Sequence, residues 1–269
     1  MAIATLPLVL AVVLAELAVG GAFLVWFVDR GGKAPRGFLK LVGFVDVAAL
    51  AAALALAPTF PRGDLAERAG LDPGPINAFA EALVVVLVLA VIQLVTAFLP
   101  SRGLRGGAGL LTVLAGAATL GVAAIGRPAQ SPYDVFAIVA LPLGALALGG
   151  SDGAMLLGHW YLVTPKLSPA PLQRAALVVI AAVALQLALV TITALRGDLT
   201  GSWETALSVA LAIRIGVGLL MTLLVAAAAW WTARMNTQSS TGLLYVALGC
   251  VFAGEVSARV IFFLTGVPV

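Results

Sequence analysis

Eight ionisable side chains stand inside long apolar stretches of the chain: Glu16, Asp46, Glu81, Asp152, His159, Arg214, Glu255 and Arg259. In such surroundings an ionisable group costs at least a few kcal/mol unless it is paired or wetted. Each therefore marks a place where chemistry or a specific contact is to be sought. Glu255 and Arg259 are four residues apart, so on a helix they share a face and can pair. Two readings of that pair stand side by side. It is a structural ion pair fastening its helix to its neighbours, or it is part of a polar pocket for a ligand or a proton. Asp152 and His159 are seven residues apart, two helical turns along one face. His159 is followed by Trp160 and Tyr161, which suits a belt residue at a membrane surface. The competing reading is a hydrogen bond to a ligand carbonyl, or a proton relay.

Other chemistry is excluded by what the chain lacks. His159 is its one histidine and Cys250 its one cysteine. A haem held by two histidines, a multi-histidine metal site, an intrachain disulfide and a cysteine-ligated cluster are all out of reach. No metal site is expected. There is no paired DxxxD, no GxSxG, no HExxH and no GxxxxGK[ST]. Repeated pore helices or rings of like charge, which would suit a channel, are not seen. Nor is a four-plus-four internal repeat, which would suit a secondary transporter. The stretch around Pro142 and its glycines is the one place where a broken helix is expected.

The elements that must position these residues follow from composition. Of 269 residues, 62% are hydrophobic and 10% charged, and the mean hydropathy is +1.13. A soluble domain carries about 25% charged residues. A soluble enzyme, a nucleic-acid-binding domain and a disordered protein are excluded, and the net charge of +3 does not suggest a polyanionic partner. A membrane helix needs roughly 20 apolar residues. Eight such runs are present, at about 5–28, 38–57, 77–99, 104–126, 135–163, 172–195, 203–232 and 239–265. The expected fold is an all-α integral membrane protein of eight transmembrane helices, a single domain over 1–269 arranged as two four-helix bundles. The fourth and sixth runs carry almost no polar groups and read as packing or lipid-facing spans. The first run lacks a basic leader, is interrupted by Glu16 and ends in VDRGGK, so it reads as a retained helix rather than a cleaved signal.

Charge sets the expected orientation. The odd-numbered loops hold Arg30, Lys33, Arg36, Lys40, Arg102, Arg105, Lys166, Arg174 and Arg234, nine in all, against four (Arg62, Arg68, Arg127 and Arg196) in the even-numbered loops. Lys and Arg concentrate in cytoplasmic loops, so both termini are expected outside the cytoplasm. Glu255 and Arg259 then fall in the outer half of the membrane. Glu81 falls at a similar depth, and Arg214 near the middle of its span. An outer-half cluster of Glu81, Arg214, Glu255 and Arg259 is the expectation. Asp46 and Asp152 fall in the inner half, where they would extend a polar route from the cytoplasm. Trp230 and Trp231 read as anchors at the inner surface.

These polar positions also resemble a known family, the eight-helix NrfD-like membrane anchors of the DMSO reductase and polysulfide reductase type. AGEVSARVIFF (253–263) is similar to that family's final helix. AELAVGGAFLV (15–25) is similar to its first helix, IRIG (213–216) to its single arginine in helix seven, and NAFAEAL (77–83) to the head of its third helix. PTFPRGD (58–64) stands where the DMSO reductase anchor often has a histidine. The resemblance implies a quinone-interacting subunit of a respiratory oxidoreductase in a bacterial or archaeal cell membrane. Its quinone would be menaquinone or ubiquinone, with no haem in this chain. Its partners would be a ferredoxin-like iron–sulfur subunit and a molybdenum-type catalytic subunit. Glu81 and Glu255 are then the candidates for proton exchange. Arg214, Arg259, Glu16 and His159 are the candidates for the quinone pocket or the proton route. The rival expectations are a secondary transporter or proton-conducting protein, and a purely structural anchor.

Overall fold

The computed structural model describes residues 2–32, 34–128, 133–164, 168–200, 203–235 and 237–269. Lys33 and Lys166, which enter the charge asymmetry above, lie outside the described residues. In a bilayer every backbone N–H and C=O must be satisfied within the protein, so long apolar segments become helices. Eight of them are long and apolar enough to cross a membrane. They are helix 1 (Ala2–Arg30), helix 2 (Arg36–Leu56), helix 3 (Pro73–Thr96), helix 4 (Arg102–Ile125), helix 5 (Val135–Val163), helix 6 (Ala170–Leu195), helix 7 (Thr205–Thr232) and helix 8 (Thr237–Thr265). Their ends lie within a turn or so of the runs read from sequence. The protein is an all-α, multi-span membrane protein.

Helix starts are fixed by local chemistry. Asp72 precedes Pro73 and accepts from the Gly74 N–H at 2.9 Å, Ser101 accepts from Leu104, and Asp134 accepts from Phe136 at 3.0 Å. Each cap satisfies a donor that has no partner in the first turn.

Short loops make successive helices antiparallel neighbours. Helices 1–4 close one ring of four and helices 5–8 close a second. The rings join where helix 1 lies along helix 5, with helix 8 also against helix 1 and helix 4 against helix 5. Helix 1 is accordingly the most enclosed span, 78% buried, and helix 7 the least, 28%. Helices 1 and 5 come into backbone contact. A Cβ on Gly20 would lie 1.7 Å from the Ala145 carbonyl oxygen, and one on Gly149 would lie 2.2 Å from that of Leu17. Only glycine allows this approach.

Both termini lie on one face, which we call the terminal face. There Arg127 donates to the Gly266 carbonyl at 3.2 Å, and Thr193 donates to that of Pro268 at 2.9 Å. Gly266 adopts φ +77°, the left-handed turn that folds the tail back. On the opposite face Arg105 pairs with Asp29 at 2.8 Å, tying helix 4 to helix 1.

One expectation is corrected. Helix 5 runs unbroken over Val135–Val163 with Pro142 inside it. The irregular span is helix 7, whose middle, Ile213–Met221, is wound as a π-helix. Such wide turns recur at functional sites.

Candidate functional site

The apolar core divides in two along helix 5, one part reaching Ala145 and the other starting at Ala147. A network of four charges sits near this division. Its centre is Glu255 on helix 8. Arg259, one turn on, places Nη2 2.7 Å from Glu255 Oε2, as the four-residue spacing predicts. Arg214 reaches across from helix 7, with Nη1 2.8 Å from Glu255 Oε1. Gln186 on helix 6 donates to the same oxygen at 2.7 Å. Arg259 also places Nε 2.8 Å from Glu16 Oε1 on helix 1, and donates from Nη2 to the Ala140 carbonyl on helix 5 at 3.3 Å. All four charged side chains are at most 1% exposed. Two carboxylates against two guanidiniums sum to zero, which makes four charges tolerable in a region closed to water.

Glycines make the room. A Cβ on Gly144 of helix 5 would lie 2.4 Å from Arg259 Nη2, 2.7 Å from Glu255 Oε2 and 2.8 Å from Glu16 Oε1. Gly218 and Gly254 bring helices 7 and 8 together; a Cβ on either would stand within 2.4 Å of the other's Cα. Gly218 lies in the π-helical segment with Arg214 and Gly254 precedes Glu255, so this contact brings the two charges within reach.

The two carboxylates are held unequally. Glu255 accepts from three side chains on helices 6, 7 and 8. The Arg259–Glu16 contact is close in distance but out of line for a hydrogen bond, and neither oxygen of Glu16 has a hydrogen-bond partner. Arg214 Nε and Arg259 Nη1 also carry donors without acceptors. Glu16 is thus the member of the network with open acceptor capacity.

Of the cluster expected from sequence, Arg214, Glu255 and Arg259 meet and Glu81 does not join them. Glu81 is exposed on the outside of helix 3. Glu16, expected on the quinone pocket or proton route, is also a member of the network. Gln186 was missed because helix 6 read as apolar packing; a glutamine deep inside a 26-residue apolar helix was the available signal. His159 is exposed near the end of helix 5, its Nδ1 3.0 Å from the Tyr245 hydroxyl of helix 8. Asp152, two turns earlier, is buried. Trp230 lies under Arg234, 4.2 Å from guanidinium carbon to ring centre, at the opposite face.

Beside the network, helix 7 borders an open groove of about 310 Å³ lined by Leu199, Trp203, Ser208, Leu211, Ala212 and Ile215. The first stretch of helix 7, Thr205–Ala212, buries no residue in the bundle. The groove is lined mainly by apolar side chains, with Ser208 and the Trp203 indole N–H as polar side-chain groups, and Ala212 and Ile215 lie close to Arg214 in the chain.

Neither a protein-family model nor a curated protein nor a solved structure matches the chain.

Proposed function

We propose that this protein is a quinone-interacting membrane subunit of a respiratory oxidoreductase. The observation that carries the reading is convergence. Segments of helices 1, 7 and 8 that resemble the NrfD-like anchors contribute Glu16, Arg214, Glu255 and Arg259, and these four form one enclosed network.

A quinone is soluble in the bilayer, so its binding site must open to lipid rather than to water. The helix 7 groove has the size of a small-ligand site and the apolar lining a quinone ring requires. Ser208 offers a hydroxyl to a headgroup oxygen. Arg214, next in the chain to the groove-lining Ile215, pairs with Glu255 and so joins this part of helix 7 to the buried charges. Bound quinol would supply two electrons and two protons, one proton to a carboxylate of the network and the other to water at the terminal face, where Leu199 and Trp203 line the groove. Glu16 is the carboxylate suited to take a proton, because Glu255 is already occupied by three donors. Arg259 holds Glu16 and Glu255 apart from each other while touching both. The electron acceptor would be an iron–sulfur partner subunit serving a molybdenum-type catalytic subunit, since this chain has one histidine and one cysteine. The setting we propose is a bacterial or archaeal cell membrane with both termini outside the cytoplasm.

A photoreactive quinone analogue tests the site. It should crosslink within Leu199–Ile215, and an excess of unlabelled quinone should suppress the product. Crosslinking confined to other helices, or unaffected by competition, would remove the groove from the account.

A further inference from the structure

A second polar site lies between the network and the opposite face. Asp46 of helix 2 is 3% exposed, and its Oδ1 has no hydrogen-bond partner. It lies against the backbone of helix 1, where a Cβ on Gly21 would come within 2.1 Å of that oxygen. Gly21 in turn packs on helix 5, where a Cβ on Gly149 would lie 2.4 Å from the Gly21 nitrogen, and Asp152, one turn beyond Gly149, is itself buried with Oδ2 unpartnered. Among the described residues neither aspartate makes an ion pair. Ser151, beside Asp152 and fully buried, also has an unpartnered hydroxyl.

The site has an approach. Gln93 of helix 3 donates to the Ala22 carbonyl at 3.2 Å, one residue from Gly21, while its own Oε1 has no partner. Gln93 also lines a partly enclosed cavity of about 150 Å³. Val25 and Leu39 line the cavity as well, and Asp29, Arg30, Arg102 and Arg105 border it at the helix ends on the opposite face. Liquid water takes about 30 Å³ per molecule, so the cavity is wide enough for several.

We propose that Asp46 and Asp152 form a proton-binding carboxyl pair, reached from the opposite face through the cavity that Gln93 lines. Two carboxylates buried near the same helix 1–helix 5 contact without a cation cannot both remain ionised, and a proton on either removes the repulsion. The proton comes from water at the cavity mouth, forms an O–H bond on one carboxyl and returns by the same way. The charged groups facing Asp46 are few. Helix 5 presents Asp152. Helix 3 presents the neutral Gln93. Helix 1 presents glycine at this level, with Glu16 about 7 Å along the axis on one side and Asp29 and Arg30 beyond on the other. On helix 2 itself Lys40 lies over Phe98, 4.1 Å from the ring centre. Among the described residues no group of three His, Cys, Asp or Glu side chains could hold a metal ion, which favours the proton as the ion bound. The site needs no quinone and stands whether or not one binds elsewhere.

Infrared spectroscopy of the full chain in lipid vesicles, with ¹³C in the aspartate carboxyls, tests this. An aspartic C=O band at neutral pH is expected, and D₂O should shift it. Asp46→Asn and Asp152→Asn should each abolish or displace the band, and Gln93→Leu should slow its shift in D₂O. The absence of such a band in the unsubstituted chain would overturn the proposal. So would a band unchanged in both asparagine variants, or a shift rate indifferent to Gln93→Leu. Two independent asparagine variants keep the test decisive if one of them fails to fold.

Discussion

Arg259 and Glu16 meet at 2.8 Å across the wall between the two four-helix bundles. Arg259 belongs to helix 8 and Glu16 to helix 1, so this contact joins the first span to the last. Because Arg259 also holds Glu255 at 2.7 Å, the junction and the network of helices 7 and 8 share one guanidinium.

Removing that guanidinium should be costly. Arg259→Gln leaves two buried carboxylates with one cation, Arg214, which pairs with Glu255 and leaves Glu16 without one. Breaking a buried pair in this way costs about 3–5 kcal/mol. Thermal unfolding in detergent should fall accordingly. The double variant Glu16→Gln/Arg259→Gln should lose less than the sum of the single variants, with a coupling of about 0.5–3 kcal/mol.

Gly144→Ala should disturb the network without touching its charges. The new Cβ would meet Arg259 Nη2 at 2.4 Å and both carboxylates within 2.8 Å. Overpacking of this kind costs about 1–3 kcal/mol. Gly249→Ala on helix 8 meets nothing within 4 Å and should be neutral or slightly stabilising, as alanine favours helix over glycine. The difference in melting temperature between the two variants checks this.

Glu81→Gln should leave stability within about 0.5 kcal/mol of the original, as for other exposed positions without partners. Under the proposed function it should also leave quinol oxidation intact, whereas Glu16→Gln should impair it. Measuring both variants in the assembled complex separates the carboxylate in the network from the one outside it.

Arg127 fastens the C-terminal tail, donating to the Gly266 and Ala124 carbonyls at 3.2 and 3.0 Å. Arg127→Ala should release Gly266–Val269 and raise hydrogen exchange there, with little change at Glu255. Equal protection of the tail in the variant would count against the tether.

The spans were legible because a bilayer demands an apolar length and a closed backbone, and both are written in residue type. The Glu255–Arg259 pair was legible for a similar reason: its spacing matches a helical turn. Glu81 was misplaced because depth alone says nothing about which way a side chain faces around its helix. Gln186 was overlooked because its partner lies on another helix, and no local pattern links residues 186 and 255. The irregular turn fell in helix 7 rather than at Pro142, since the Gly218–Gly254 contact that accompanies it is tertiary. Asp46 and Asp152 were placed at one depth from sequence, whereas their common setting depends on the glycine contact of helices 1 and 5.

The proposed exchange of electrons between quinone and an iron–sulfur partner can be checked on the native complex. Purification of the native complex from its own membrane, followed by quinone extraction and iron and molybdenum analysis, tests it most directly. Co-purification of an iron–sulfur subunit, a molybdenum-type subunit and bound quinone is expected. A chain that emerges alone and free of quinone would contradict it.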